Sequence, residues 1–335
     1  MMGDKDLVRS CGCTCVRSCF FIFFDLWLLQ RKREAFSCIL TASLTKYVAL
    51  CPMLLGAAPQ TSTTDGIEPQ GSRWMGVIPM AEEKKHEMGH EFLARLGKTR
   101  LRPGGREATE WLLGHVDFTA DTRVLEVACN MGTTMVALAE AHGCRITGLD
   151  MNPAALEKAR ANIAKHGLGD VIDVVEGNAM ALPFPDATFD VVINEAMLTM
   201  LPRAHKAKAV AEYFRVLKPG GILLTHDVTL RAASEEAAAE LRAGLARAIH
   251  VNVDPLPQGM WEALFRDAGF AITVQTGAMT LLDPVGLVRD EGFDGAMQII
   301  RNGLRTENID RFRTMFNFFF DHNKEFSYIA VVSRK

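Results

Sequence analysis

Between residues 123 and 228 short apolar runs alternate with stretches of helical character, and that alternation narrows the fold more than any other feature. Arg123–Cys129, Arg145–Asp150, Ile172–Asn178, Phe189–Glu195 and Gly221–Val228 read as strands. Gly132–His142, Pro153–Gly167 and Arg203–Lys218 read as helices, the second with proline in its first turn and the third stopped by Pro219-Gly220-Gly221. Runs such as FDVVINE are apolar on both faces, so the sheet they form is covered on both sides. Strands alternating with helices of this length imply βαβ units and a parallel sheet. Further on, Ser234–Val251 and Gln258–Gly269 read as helices and Phe270–Met279 as a strand. Residues 284–322 read as helical with an aromatic cluster, and Phe326–Val332 as a closing strand. The expectation is an α/β fold: a doubly wound, mostly parallel sheet of seven strands, with an N-terminal helical segment and a helical lid near the C-terminus.

The first 79 residues differ in kind. They hold six of the eight cysteines, then a Pro/Gly/Ser/Thr-rich stretch from Pro59 to Gly76. Two readings stay open for 1–79: translated upstream sequence before Met80, or a targeting segment for organelle import. The Cys11/Cys13/Cys15/Cys19 spacing is not the paired CxxC pattern of zinc sites. Residues 80–335 form the expected domain, with helical elements at 81–114 and 231–322 shaping an acceptor pocket. Its sparse cysteines suit a reducing compartment, so a cytoplasmic location is expected. The run Phe20–Leu29 is broken by Asp25 and falls short of the roughly 20 residues that a membrane span needs, so stable membrane insertion is not expected. The 37 Lys+Arg sit against 40 Asp+Glu with no basic run, which argues against nucleic-acid partners. No pattern fixes an oligomeric state.

In a sheet of this kind ligands sit at the carboxyl ends of the strands. Strand one ends in Glu126-Val-Ala-Cys-Asn-Met-Gly132, where Gly132 lets backbone approach a ligand at a helix N-terminus. Asp150 ends strand two, where an acid suits the paired hydroxyls of a ribose. Together they describe a nucleoside-containing cofactor. The chain from Val124 to Val228 then resembles class I S-adenosylmethionine-dependent methyltransferases, in particular the small-molecule and quinone C-methyltransferase-like branch. VLEVACNMGTT, ITGLDMNPAALEKAR, VVEGNAMALPFPDATFDVVINEAML and YFRVLKPGGILLTHD carry the resemblance in order. It implies a Rossmann-like methyltransferase fold that binds S-adenosyl-L-methionine. By that resemblance Glu126 lies near the methionine amino group, and Ala128 and Gly132 line the methionine and ribose end. Asp150 takes the ribose hydroxyls, Met151 packs on the adenine, Asn178 and Ala179 meet its edge, and Glu195 borders the reactive end. The loop departs from the family at Ala128 and Asn130, where glycine is usual. Asn130 tolerates positive φ, and Ala128 is expected at an ordinary φ.

Methyl transfer to an acidic carbon or hydroxyl also needs a proton removed. His226 ranks first as such a base, histidine being the side-chain type suited to proton transfer at neutral pH, with Glu195 the second catalytic candidate and His250 and Tyr328 weaker ones. The structural alternative is a hydrogen-bonded His226 beside a capping Asp227. Around Pro103-Gly104-Gly105, Arg100 or Arg102 is expected to meet a carboxylate of the cofactor or of an acidic substrate; a solvated basic loop is the alternative. His86-Glu-Met-Gly-His90 matches the short H-E-x-x-H zinc-protease pattern, with Glu87 as water activator, but lacks its longer form. The expected activity is methyl transfer to a small-molecule acceptor, apolar or aromatic, with no metal. A zinc hydrolase, a catalytically silent cofactor-binding module and a nucleotide-dependent oxidoreductase are the alternatives.

Overall fold

The computed structural model describes residues 87–335, so the segment 1–79, its cysteines and His86 lie outside the described residues. The elements, in order, are α1 (Gly89–Leu96), α2 (Gly105–Leu113), β1 (Arg123–Val127), α3 (Thr133–His142), β2 (Arg145–Asp150), α4 (Pro153–Lys165), β3 (Ile172–Glu176), β4 (Phe189–Glu195), α5 (Arg203–Val216) and β5 (Leu217–Leu230). Then come α6 (Glu235–Ile249), α7 (Gln258–Asp267), β6 (Ala271–Ala278), α8 (Pro284–Gly303), α9 (Ile309–Asp321) and β7 (Phe326–Arg334).

Seven strands form one sheet in the order β3-β2-β1-β4-β5-β7-β6. The first five run parallel, and β7 inserts antiparallel to both β5 and β6. Because successive side chains of a strand point to opposite faces, each strand feeds two cores. Val124, Ile146, Val191, Ile193 and Leu224 face a core that includes Met135, Leu138, Leu156 and Ile163 of α3 and α4. Leu125, Val127, Leu149, Val192 and Leu223 face the other, with Val210 and Tyr213 of α5 and Trp261 and Phe265 of α7. Asn152 caps α4, its side chain accepting from the Ala154 N–H at 3.0 Å.

A third cluster stands apart from the sheet. Phe92, Leu93 and Leu96 of α1 pack with Leu287 and Ile299 of α8 and Phe312 and Met315 of α9. With α6 these helices form the lid. The expected lid of 231–322 is therefore corrected: α7 and β6 belong to the sheet body. Trp261 is wholly buried there, and its Nε1–H donates to the Val228 carbonyl at 3.0 Å. The helix break is corrected too. α5 ends at Val216, and Leu217 already pairs with Phe189, so Pro219-Gly220-Gly221 lies inside the strand segment rather than stopping the helix. The 284–322 stretch divides into α8 and α9, and α8 is itself kinked at Gly292 (φ 72°, ψ 170°).

Candidate active site

The carboxyl ends of β1, β2, β4 and β5 meet at one edge of the sheet. The turn between β1 and α3 holds three left-handed residues in five: Ala128 (φ 58°), Asn130 (φ 48°) and Gly132 (φ 71°). The ordinary φ expected of Ala128 is thus corrected. The chain must reverse from strand to helix within this span, with the Cys129 N–H donating to Leu149 at 3.1 Å and the Gly132 N–H to Cys129 at 2.8 Å. Those constraints force alanine into a region costing it about 1–2 kcal/mol.

Asp150 holds the same loop. Its Oδ2 accepts from the Asn130 N–H and its Oδ1 from the Asn152 N–H, both at 2.9 Å. Each oxygen keeps a lone pair for another donor. Beside it Met151 leaves 66% of its surface exposed, unusual for a large apolar side chain at a strand end. Asn178 turns on itself, its Oδ1 accepting from the Met180 N–H at 2.9 Å, and Ala179 is buried.

Three ionisable side chains lie inward of this loop. Glu126 is buried, and its Oε2 has no hydrogen-bond partner. Burial pushes its carboxyl up to about 8; Arg102 opposes that and the nearby Glu195 adds to it. The Glu195 side chain is only 5% exposed, but it is ionised. Burial pushes it up, yet the Arg102 guanidinium and the hydrogen bonds from His226 and Thr109 outweigh that and hold it near 2. Arg102 Nε stands 2.8 Å from Glu195 Oε2, and Thr109 Oγ1 donates to Oε1 at 2.9 Å. Arg102 also donates to Thr134 Oγ1. Two buried carboxyl groups in different protonation states therefore share one guanidinium.

His226 is not exposed to this cleft at all. It is wholly buried, and its Nε2 accepts from the Gly104 N–H at 2.9 Å. A backbone N–H only donates, so the ring proton sits on Nδ1, 3.5 Å from Glu195 Oε1. The expectation of His226 as the base is corrected: its lone pair is taken by the main chain, and it fixes the Gly104 turn against Glu195. Arg102 does meet a carboxylate, but the protein's own. Arg100 donates to the Asp290 carbonyl, and its N–H reaches Glu291 at 3.0 Å. Tyr328 is buried and accepts from Gln275 Nε2 at 2.9 Å. Glu87 is committed to the guanidinium groups of Arg95 (2.7 Å) and Arg311 (2.9 Å). Among the described residues no group of three or more His, Cys, Asp and Glu side chains is placed to hold a metal.

Residues 124–221 match the family described as a methyltransferase domain. An uncharacterized protein of Haemophilus influenzae is 52% identical over 252 residues, 75% of this chain and 99% of that one. The demethylmenaquinone methyltransferase of Symbiobacterium thermophilum is 37% identical over 156 residues, 44% of this chain and 61% of that protein's length. The chain belongs to the class I S-adenosylmethionine-dependent methyltransferases. In fold, the methyltransferase is similar to the crystal structure of geranyl diphosphate C-methyltransferase from Streptomyces coelicolor A3(2). That likeness has a TM-score of 0.53 at 15% identity, covering 68% of this chain and 78% of the other.

The residues present fit S-adenosylmethionine as the methyltransferase's cofactor. An unpartnered buried carboxyl oxygen on Glu126 suits an ammonium group, and the open lone pairs of Asp150 suit hydroxyls. The bare face of Met151 suits an apolar ring. Sequence reading passed over Thr109 and Thr134, which complete the shell of Glu195. Their signal is faint, since a threonine in a first helical turn (Thr134) or bonding back to the preceding turn (Thr109) is common without any site.

Proposed function

We propose that the chain transfers a methyl group from S-adenosylmethionine to an apolar small molecule held under the lid. One observation carries this reading. Next to the cofactor cleft, a cavity of about 690 Å³, counting its open mouth, lies between the strand ends and the lid helices. Leu93, Leu101, Leu245, Ile249, Met315 and Phe319 give it an apolar wall. Pockets of this apolar character hold small apolar molecules. His90, Pro103 and Ala196 border it, and they adjoin the cleft: Asp150's charge bears on His90, while Pro103 and Ala196 follow Arg102 and Glu195 in the chain. The name of the demethylmenaquinone methyltransferase above agrees with an acceptor of this kind.

The bound cofactor supplies an electrophilic methyl group. The chain's own residues bind, orient and keep out water. Asp150 accepts from the ribose hydroxyls, Glu126 takes the ammonium, Gly132 leaves room for backbone approach, and Met151, Asn178 and Ala179 hold the adenine. Arg102 keeps Glu195 ionised at the cleft's inner end. The lid helices α1, α6 and α9 close the apolar side. A cytoplasmic setting suits the free, buried Cys129 and Cys144. The test is transfer of a labelled methyl group to a panel of apolar and polar acceptors by the wild type and by Leu245→Trp, which fills the cavity. The reading predicts transfer to apolar acceptors alone, lost in Leu245→Trp while cofactor affinity stays. Equal transfer by both proteins would refute it.

A further inference from the structure

Arg102 reaches the cofactor cleft from a segment with no regular structure of its own. Residues 97–104, between α1 and α2, belong to no helix or strand. Yet this strap sets Arg102 Nε 2.8 Å from Glu195 Oε2 and the Gly104 N–H 2.9 Å from His226 Nε2. Each residue of an untethered loop keeps about 1–2 kcal/mol of backbone entropy that such placement must overcome. Something outside the strap therefore holds it.

The first half of α8, up to the kink at Gly292, does so. The Thr99 N–H donates to Glu291 Oε1 at 3.1 Å, the Thr99 hydroxyl to Oε2 at 2.7 Å and the Arg100 N–H to Oε1 at 3.0 Å. The Arg106 N–H donates to Asp290 Oδ1 at 3.0 Å. Lys98 Nζ lies 3.4 Å from Glu291 and 3.7 Å from Asp290; the side chains of Lys98 and Asp290 are wholly buried and that of Glu291 nearly so. Past the kink, Asn302 Nδ2 donates to the Leu96 carbonyl at 2.9 Å, so α8 grips both ends of the strap. Buried charges are a poor source of stability, since apolar side chains of the same volume often do as well. What they supply is register. An apolar contact tolerates sliding, whereas directional bonds to Lys98, Thr99, Arg100 and Arg106 admit one placement. A slip of 1 Å would take the Arg102 guanidinium out of hydrogen-bond range of Glu195.

We propose that Asp290 and Glu291 are positioning residues of the methyltransferase, acting through the strap to set Arg102 on Glu195, so that the charge at the inner end of the cofactor cleft is governed from lid helix α8. Their bearing on the cofactor rests on the proposed place of Glu195 beside it; their hold on Arg102 does not. If the ion cluster only fastened the lid, its loss would lower stability and leave Glu195 untouched.

The test is the titration of the Glu195 carboxyl by carbon-13 NMR of the full chain labelled at glutamate, its signal assigned by Glu195→Gln. In the wild type Glu195 should titrate near 2. Arg102→Met should raise that value, and Glu291→Ala should raise it by at least about one pH unit, a tenfold gain in proton affinity. Added to Arg102→Met, Glu291→Ala should shift it no further, because both act through the same guanidinium. Should Glu291→Ala fail to fold, Thr99→Val removes one anchor of the strap and should give a smaller rise. A lowered Tm with Glu195 still near 2 in the folded variants would overturn the proposal. Calorimetric titration of the same proteins with S-adenosylhomocysteine separates the two readings. A Glu195 that moves while ligand affinity stays the same in every variant would uphold the positioning and overturn the place of Glu195 beside the cofactor.

Discussion

Glu126 offers the sharpest quantitative prediction. Its carboxyl, raised to about 8 by burial, is protonated in the ligand-free protein at pH 7. A group at about 8 is roughly 90% protonated one unit below that value. An ammonium group placed against the unpartnered Oε2 must draw that proton off, because the positive charge favours the carboxylate. Binding S-adenosylhomocysteine at pH 7 should therefore release about 0.9 proton. Calorimetry in phosphate and in Tris reads this directly, since the buffers differ in heat of protonation. Affinity should rise about tenfold per pH unit between pH 6 and 8. The same proton governs stability. A folded value of about 8 against 4.5 unfolded means that the contribution is fully present below pH 4.5 and lost as pH rises toward 8. The loss is about 1.4 kcal/mol per pH unit at most. Glu126→Gln should flatten that slope, release no proton and bind the ligand at least about tenfold more weakly. A wild-type binding heat independent of buffer, with a flat stability profile from pH 5 to 8, would refute the reasoning.

Arg102→Met removes the counter-charge of the buried Glu195. Breaking such a pair costs about 3–5 kcal/mol, and the partial exposure of Arg102 brings this to about 2–4, a fall in Tm of roughly 5–15 °C. Glu195 is held near 2, so its contribution is present above pH 4.5 and lost as pH falls toward 2; acid titration of Arg102→Met should show that limb flattened. Ala128→Gly relieves left-handed strain against the entropy of an added glycine, and should raise stability by up to about 1 kcal/mol in denaturant unfolding. Gly105→Ala drives a methyl into the Asp290 carboxyl group at φ 59°, and should cost about 2–4 kcal/mol in the same assay.

The sheet was legible because its information is local. RITGLD and FDVVINE are strands with the bounds their patterns imply, and Asp150 and Glu195 fall at strand ends as expected. Features set by distant partners were hidden. Nothing in GILLTHDV says that the Gly104 N–H, 122 residues away, will occupy His226. Nothing in LGKTR marks Lys98 as a buried cation, yet it lies against Asp290 and Glu291 of α8 at 3.7 and 3.4 Å. Ala128 misled because side-chain preference was weighed without the two backbone hydrogen bonds that fix the turn. The lid was over-extended because α7 is amphipathic like its neighbours, and only the pairing of β6 with β7 draws it onto the sheet.

The central claim is cofactor binding at the ends of β1 and β2, and calorimetric titration of the full chain and Asp150→Ala with S-adenosylhomocysteine tests it most directly. The account predicts one site in the wild type and an affinity at least about tenfold weaker in Asp150→Ala, from two lost hydroxyl contacts to a carboxylate. Unchanged affinity in Asp150→Ala, or no binding to the wild type, would contradict it.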